Sequence, residues 1–185
     1  MRRPWLVPIA CVVLLVTGCT PFGGSTSGTS FVSKDGTITV VPDSARKAPI
    51  EVAGQTLNGA RLDLASLRGH AVVLNVWGSW CGPCRKEAPE LQAAYAKLQQ
   101  SGVNFLGIAV RDDAGSAQAM QRTFAITYPS LLDDGGNLLL ALRGAASASA
   151  VPTTLVLDGQ GRLAASVSGP TTTQTLVDLV GQVTG

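Results

Sequence analysis

What this chain has little of narrows its chemistry. Its 185 residues include one histidine, His70, and four cysteines, two of which, Cys11 and Cys19, sit in the first nineteen positions. A structural zinc site closes with four N or S ligands, and one histidine with a single remaining thiol pair cannot supply them, so no metal site is expected. His70 precedes an apolar run, has no serine-centred triad signature around it, and reads as a solvated loop residue. Charge is also sparse, with 14 Lys and Arg against 12 Asp and Glu. Arg2 and Arg3 belong to an N-terminal segment expected to be removed, which leaves the balance even and offers no basic footprint for nucleic acid. The apolar run from Trp5 to Val16 is too short for a comfortable membrane span.

That run has another reading. Met1-Arg2-Arg3 is a charged start, an apolar core follows, and small residues close the segment, the architecture of a secretory signal over residues 1–18. Val16-Thr17-Gly18-Cys19 resembles the lipobox of bacterial lipoproteins. The resemblance implies cleavage before Cys19, acylation of Cys19, and a lipid anchor holding the chain on the extracytoplasmic face of a cell membrane. The alternative is ordinary cleavage nearby with Cys19 left as a free thiol. Thr20 to Ser30 is rich in Gly and Ser, a flexible tether that cannot bury a core, and residues 19–48 form a tether and arm. Within it, Gly36-Thr37-Ile38-Thr39-Val40-Val41 is either an extra strand or an ordered arm. The compact domain is expected over residues 49–185, a comfortable size for one core.

Inside that domain the pattern alternates. Ile50-Glu51-Val52 and Arg61-Leu62-Asp63-Leu64 read as short strands, Ala71 to Trp77 as a buried strand, and Val103 to Val110 as another. Helices are expected from Arg85 to Leu98, from Ser116 to Phe124, from Leu138 to Leu142 and around Leu176 to Val180. Asp158-Gly159-Gln160-Gly161 joins two strands, Pro152 to Leu157 and Leu163 to Val167, as a hairpin. This order predicts an α/β domain with a central mixed sheet flanked by helices.

The chemistry is concentrated in Trp80-Cys81-Gly82-Pro83-Cys84, which follows the buried strand directly. Pro83 is tolerated in the first turn of a helix because the amide it lacks would have had no partner there. Cys81 is therefore placed at a helix N-terminus, where free amides and the helix dipole favour a thiolate. Thiolate is the attacking species in disulfide exchange. A disulfide between Cys81 and Cys84 closes almost no loop and stabilises little, so the pair is there to react. Glu87 lies three residues beyond Cys84. It is either one more charge on a solvated Arg85-Lys86-Glu87 turn or, if partly buried, a base of raised pKa beside the thiols.

The strand, the Cys81-Gly82-Pro83-Cys84 motif, the helix with Pro89 inside it, and Val151-Pro152-Thr153-Thr154 resemble the thioredoxin fold. More narrowly, Leu64 to Gly69, Leu74-Asn75-Val76-Trp77-Gly78-Ser79-Trp80, Arg85-Lys86-Glu87-Ala88-Pro89 and Asp158 to Gly161 resemble the TlpA/ResA-like group of membrane-anchored thiol-disulfide oxidoreductases. The likeness runs from Pro49 to the C-terminus. It implies a catalytic set of Cys81 as nucleophile, Cys84 as resolving thiol and Glu87 as proton partner. It also implies a cis peptide bond at Pro152, with the Val151 backbone pairing an extended substrate segment and Trp80 framing the substrate face. Trp77 has an equal claim to the core. Asn75 replaces the buried aspartate of cytoplasmic thioredoxins, which removes that proton acceptor. No cofactor is implied. The implied partners are exported protein thiols and disulfides and an integral-membrane thiol electron donor, with apocytochrome c a possible substrate class. Gly144 to Ala150 departs from the group's usual pattern where the loop would border the substrate groove.

Three functions follow from these residues. The first is reduction of disulfides in exported proteins, implied by the resemblance of Gly82-Pro83 to the dipeptide of reducing thioredoxins. The second is a disulfide oxidase or isomerase, although the spacing leaves little room for an inserted helical domain. The third is a non-catalytic thiol module binding a soft metal such as Cu(I), which lacks the extra histidine expected of such modules. A peroxidase is disfavoured because Cys81 is not in a Pro-x-x-x-Thr-x-x-Cys setting.

Overall fold

The computed structural model describes residues 29–33, 36–145 and 150–184. The signal, Cys11, Cys19 and nearly all of the tether lie outside the described residues, as do residues 146–149 of the Gly144–Ala150 segment. The sheet is built around β5 (Val72–Trp77), every residue of which is buried. Parallel to it runs β6 (Asn104–Val110), and parallel to that β7 (Ser130–Asp133). On the other side of β5, β8 (Thr153–Leu157) and β9 (Leu163–Ser168) run antiparallel as the expected hairpin. β2 (Gly36–Val40) pairs with β9, and β1 (Thr29–Ser33) pairs with β2. The result is a seven-stranded mixed sheet in the order β1-β2-β9-β8-β5-β6-β7.

Several expectations change in detail. The Gly36 to Val41 stretch is a strand as far as Val40, and Ile38 from it enters the core. Ile50-Glu51-Val52 is not a strand. The paired segment is β3 (Ala53–Gln55), which meets β4 (Arg61–Asp63) in a separate two-stranded sheet. Ile50 and Val52 are buried while Glu51 is exposed, so the alternation marks an extended chain that packs its apolar side under the main sheet. β7 has no counterpart in the sequence reading, because four residues with two central leucines carry too little periodicity to register.

Side-chain alternation along β5 decides what each layer holds. Val72, Leu74 and Val76 face a cluster completed by Leu106, Ile108, Leu155 and Leu157. Val73 points the other way, toward Leu91, Ala94 and Leu98 of α1 (Gly82–Leu98) and Leu176, Leu179 and Val180 of α4 (Thr173–Thr184). Asn75 and Trp77 share that parity with Val73, so the strand presents a polar residue to α1. Each buried leucine or valine contributes about 1.5–3 kcal/mol. A third cluster joins Trp77, Cys81, Cys84 and Ala88 to Ala117 and Met120 of α2 (Ala114–Thr123), bringing a third helix against the motif. A short α3 (Asn137–Ala141) follows β7, its first amides held by the Asp133 carboxylate.

Candidate active site

Cys81 is the N-cap of α1. Its backbone is extended, its Sγ accepts the Cys84 amide at 3.2 Å, and Pro83 occupies the first turn. These are the donors that stabilise sulfur charge when the thiol is free. Cys81 and Cys84 are joined by a disulfide, with Cα atoms 5.3 Å apart. In this oxidised state Cys81 is 4 % exposed and Cys84 1 %, so the outer cysteine is only marginally more accessible. The peptide bond between Val151 and Pro152 is cis. Cys81 Sγ lies 3.7 Å from the Val151 carbonyl oxygen, which brings the thiol pair and the proline loop together across 70 positions of sequence.

Glu87 is not part of a solvated turn. Arg85 and Lys86 are exposed, but Glu87 is 2 % exposed. Helical phase explains the difference, since Cys84, Ala88, Leu91 and Leu98 mark a buried stripe and Glu87 falls within it. Its Oε1 accepts from Asn75 Nδ2 at 3.1 Å and its Oε2 from the Thr171 amide at 3.1 Å. Burial pushes the carboxyl up to about 7, against the lowering effect of those two donors. Burial also raises the phenol of Tyr128, and the charge of Glu87 adds to that rise. The Thr171 hydroxyl, on the residue whose amide holds Glu87, is buried and has no hydrogen-bond partner among the described residues.

The remaining expected residues separate by environment. Trp80 is 51 % exposed, its Nε1 donating to the Val110 carbonyl at 3.2 Å and its ring stacked under the Arg111 guanidinium at 4.5 Å. Arg111 takes a positive φ of 50° to reach that position. Ser79 is clamped by Asp112, which accepts its amide at 2.6 Å and its hydroxyl at 2.8 Å. Trp77 is a core residue, 3 % exposed. His70 is exposed on the segment before β5. Among the described residues, no group of three His, Cys, Asp or Glu is placed to hold a metal.

Sequence reasoning missed Thr154, Thr171, Arg111 and Asp112. Thr154 was partly reachable, since it stands two residues after Pro152 in a strand the sequence predicts, but the pairing of that strand with β5 is seen only in the fold. Thr171 carries no local signal, because its partner Glu87 is 84 positions away.

The chain matches the AhpC/TSA family over residues 44–166. It is 29 % identical over 126 residues to the thiol-disulfide oxidoreductase ResA of Bacillus subtilis, covering 68 % of each chain. Among solved structures it resembles a secreted thiol-disulfide isomerase from Corynebacterium glutamicum, with TM-score 0.72, 34 % identity, and coverage of 83 % of this chain and 99 % of that one. A DsbF homologue from Corynebacterium diphtheriae gives TM-score 0.70 and 30 % identity, with 89 % of this chain and 97 % of the other covered.

Proposed function

Since the chain belongs to the AhpC/TSA family and is a thioredoxin-fold thiol-disulfide oxidoreductase by its relatives, we propose that it reduces disulfides in exported proteins through Cys81, Cys84 and Glu87. The observation that carries the reading is the meeting of three groups: Cys81 capping a helix N-terminus, the Val151 carbonyl 3.7 Å from its sulfur, and a buried carboxylate one turn beyond Cys84.

In the reduced enzyme the Cys81 thiolate attacks a substrate disulfide. One S–S bond breaks, a mixed disulfide forms, and the first substrate thiolate leaves. The Cys84 thiol then gives its proton to the Glu87 carboxylate and attacks the Cys81 sulfur. The enzyme disulfide closes, the second substrate thiolate departs, and two electrons have passed to the substrate. A carboxyl with a pKa of about 7 can accept that proton near neutrality and release it again. The cis loop at Val151-Pro152 presents its backbone to an extended substrate segment, and exposed Trp80, next to Cys81 in the chain, frames the substrate face.

The rest of the reading concerns place and partners. The chain works outside the cytoplasm, like the secreted isomerase it resembles, anchored through acylated Cys19. It is re-reduced by an integral-membrane thiol donor, and apocytochrome c is a fitting substrate class. No helix among the described residues is long and apolar enough to cross a membrane.

Cys81→Ser is expected to abolish insulin reduction with the fold intact, and Cys84→Ser to retain substrates as mixed disulfides on Cys81. Recovery of no mixed disulfide while wild type stays active would overturn the assignment of roles. The likeness to an isomerase favours a second reading, in which the pair shuffles disulfides from its reduced state or makes them from its oxidised one. Thiol-alkylation gel shifts and refolding of a scrambled-disulfide substrate decide between them: a largely reduced pair that leaves the scrambled substrate unchanged supports the reductase, a reduced pair that refolds it the isomerase, and a fully oxidised pair the oxidase.

A further inference from the structure

β5 and β8 are paired so that Asn75 stands directly opposite Thr154, both on the α1 side of the sheet. Opposed residues on one face of an antiparallel pair have side chains in reach of each other. Here the Asn75 amide uses both of its hydrogens. One goes to Glu87 Oε1 at 3.1 Å, the other to Thr154 Oγ1 at 3.0 Å. Asn75 is 2 % exposed and Thr154 fully buried, so water does not compete for either bond. Thr154 in turn stands two residues past the cis bond at Pro152, whose carbonyl accepts the Gly169 amide at 2.9 Å and fixes the loop to the end of β9.

We propose that Asn75 is a positioning residue, a hydrogen-bonded strut whose amide is oriented by Thr154 and holds the Glu87 carboxylate, so that the substrate loop and the proton site share one support. The proposal rests on the reading of Glu87 as the proton partner of Cys84. An amide donating to a carboxylate favours its ionised form, and does so only while its plane is held. Without the Thr154 oxygen, one buried Asn75 hydrogen loses its acceptor and the amide loses the anchor that sets its plane. The other groups around Glu87 are accounted for. α1 presents Cys84, held in the disulfide, and the turn before α4 presents the uncharged Thr171 amide. The segment before β7 presents Tyr128, the titratable group on which the charge of Glu87 acts.

The test is a 13C titration of the glutamate carboxyls in the oxidised full chain. The sequence has three glutamates, Glu51, Glu87 and Glu90, and the Glu87→Gln spectrum identifies the Glu87 signal. Asn75→Ala should raise the Glu87 midpoint by about one pH unit, tenfold in proton affinity. Thr154→Val should raise it in the same direction by a smaller amount, and Thr154→Ser, which keeps the oxygen, should restore the wild-type value. An unchanged or lowered midpoint in Thr154→Val, or a Thr154→Ser that behaves as Thr154→Val, overturns the strut. If Asn75→Ala does not fold, the Thr154 pair still decides. Failure of the base assignment is seen separately, as an insulin-reduction pH profile that Glu87→Gln leaves unchanged while the titration shifts persist.

Discussion

The buried carboxylate makes stability depend on pH in a direction opposite to the usual carboxylate case. Glu87 has a pKa of about 7 in the folded chain against an ordinary value of 4.5. Between those values the folded state keeps a proton that the unfolded chain has lost. Stability therefore falls as pH rises through this window, and the loss is complete once the folded carboxyl has ionised. At 1.36 kcal/mol per unit, the fall between pH 5 and pH 8 is about 2–3 kcal/mol. The oxidised protein is the right material, because disulfide-bonded Cys81 and Cys84 do not titrate.

Other shifted carboxyls lie outside the window. Hydrogen bonds from Thr173 lower Glu90, and those from Ser116 lower Asp113. At Asp158 burial raises the carboxyl, and the bonds from Arg162, Gln160 and Arg46 more than reverse it. Depressed carboxyls contribute their stability above the unfolded value and lose it as pH falls through the folded one, so they act below pH 5. The assay is urea denaturation of wild type and Glu87→Gln at half-unit steps from pH 5 to 8. The difference between the two proteins cancels every group but Glu87. It should change by about 2–3 kcal/mol across the range, with wild type losing ground as pH rises. A flat difference, or one that favours wild type at high pH, refutes the burial argument.

Two glycines make further outcomes checkable. A Cβ at Gly107 would sit 2.2 Å from Ser130 Oγ and 2.7 Å from Trp77 Nε1, both on buried residues that cannot retreat. Gly107→Ala should cost about 1–3 kcal/mol by overpacking, and an unchanged melting temperature would contradict it. A Cβ at Gly78 would sit 2.5 Å from Trp80 Nε1, but that indole is half in solvent and can swing away. Gly78→Ala should therefore spare stability, change Trp80 fluorescence, and raise KM for a protein disulfide more than for a small disulfide. Equal effects on both substrates would remove Trp80 from the substrate face.

Much of this site was legible along the chain because its chemistry is local. Cys81, Pro83 and Cys84 occupy a single turn, and the strand that precedes them is a continuous apolar run. Glu87 was half legible. Its spacing from Cys84 was plain, but burial had to be read from the stripe that runs on through Leu91 and Leu98. Asn75 was read for what it lacked, an acid; its role as a donor to Glu87 appears only when β5 and α1 are packed. β7 escaped for want of length, and the strand expected at Ile50 was displaced by three residues because extended backbone and paired backbone look alike in a side-chain pattern.

The sequence by itself determined the reacting thiols, the helix they cap, the alternation that makes a mixed sheet, and the hairpin at Asp158 to Gly161. Each is a property of neighbours within a turn or a strand, where periodicity and backbone preference act directly. Tertiary structure alone decided the proton affinity of Glu87, the contact of Cys81 with Val151, and the Asn75 bridge to Thr154. Those depend on desolvation and on hydrogen bonds between residues 12 to 84 positions apart. Such quantities come into being only when the sheet and helix close over the carboxylate and exclude the water that would otherwise solvate it.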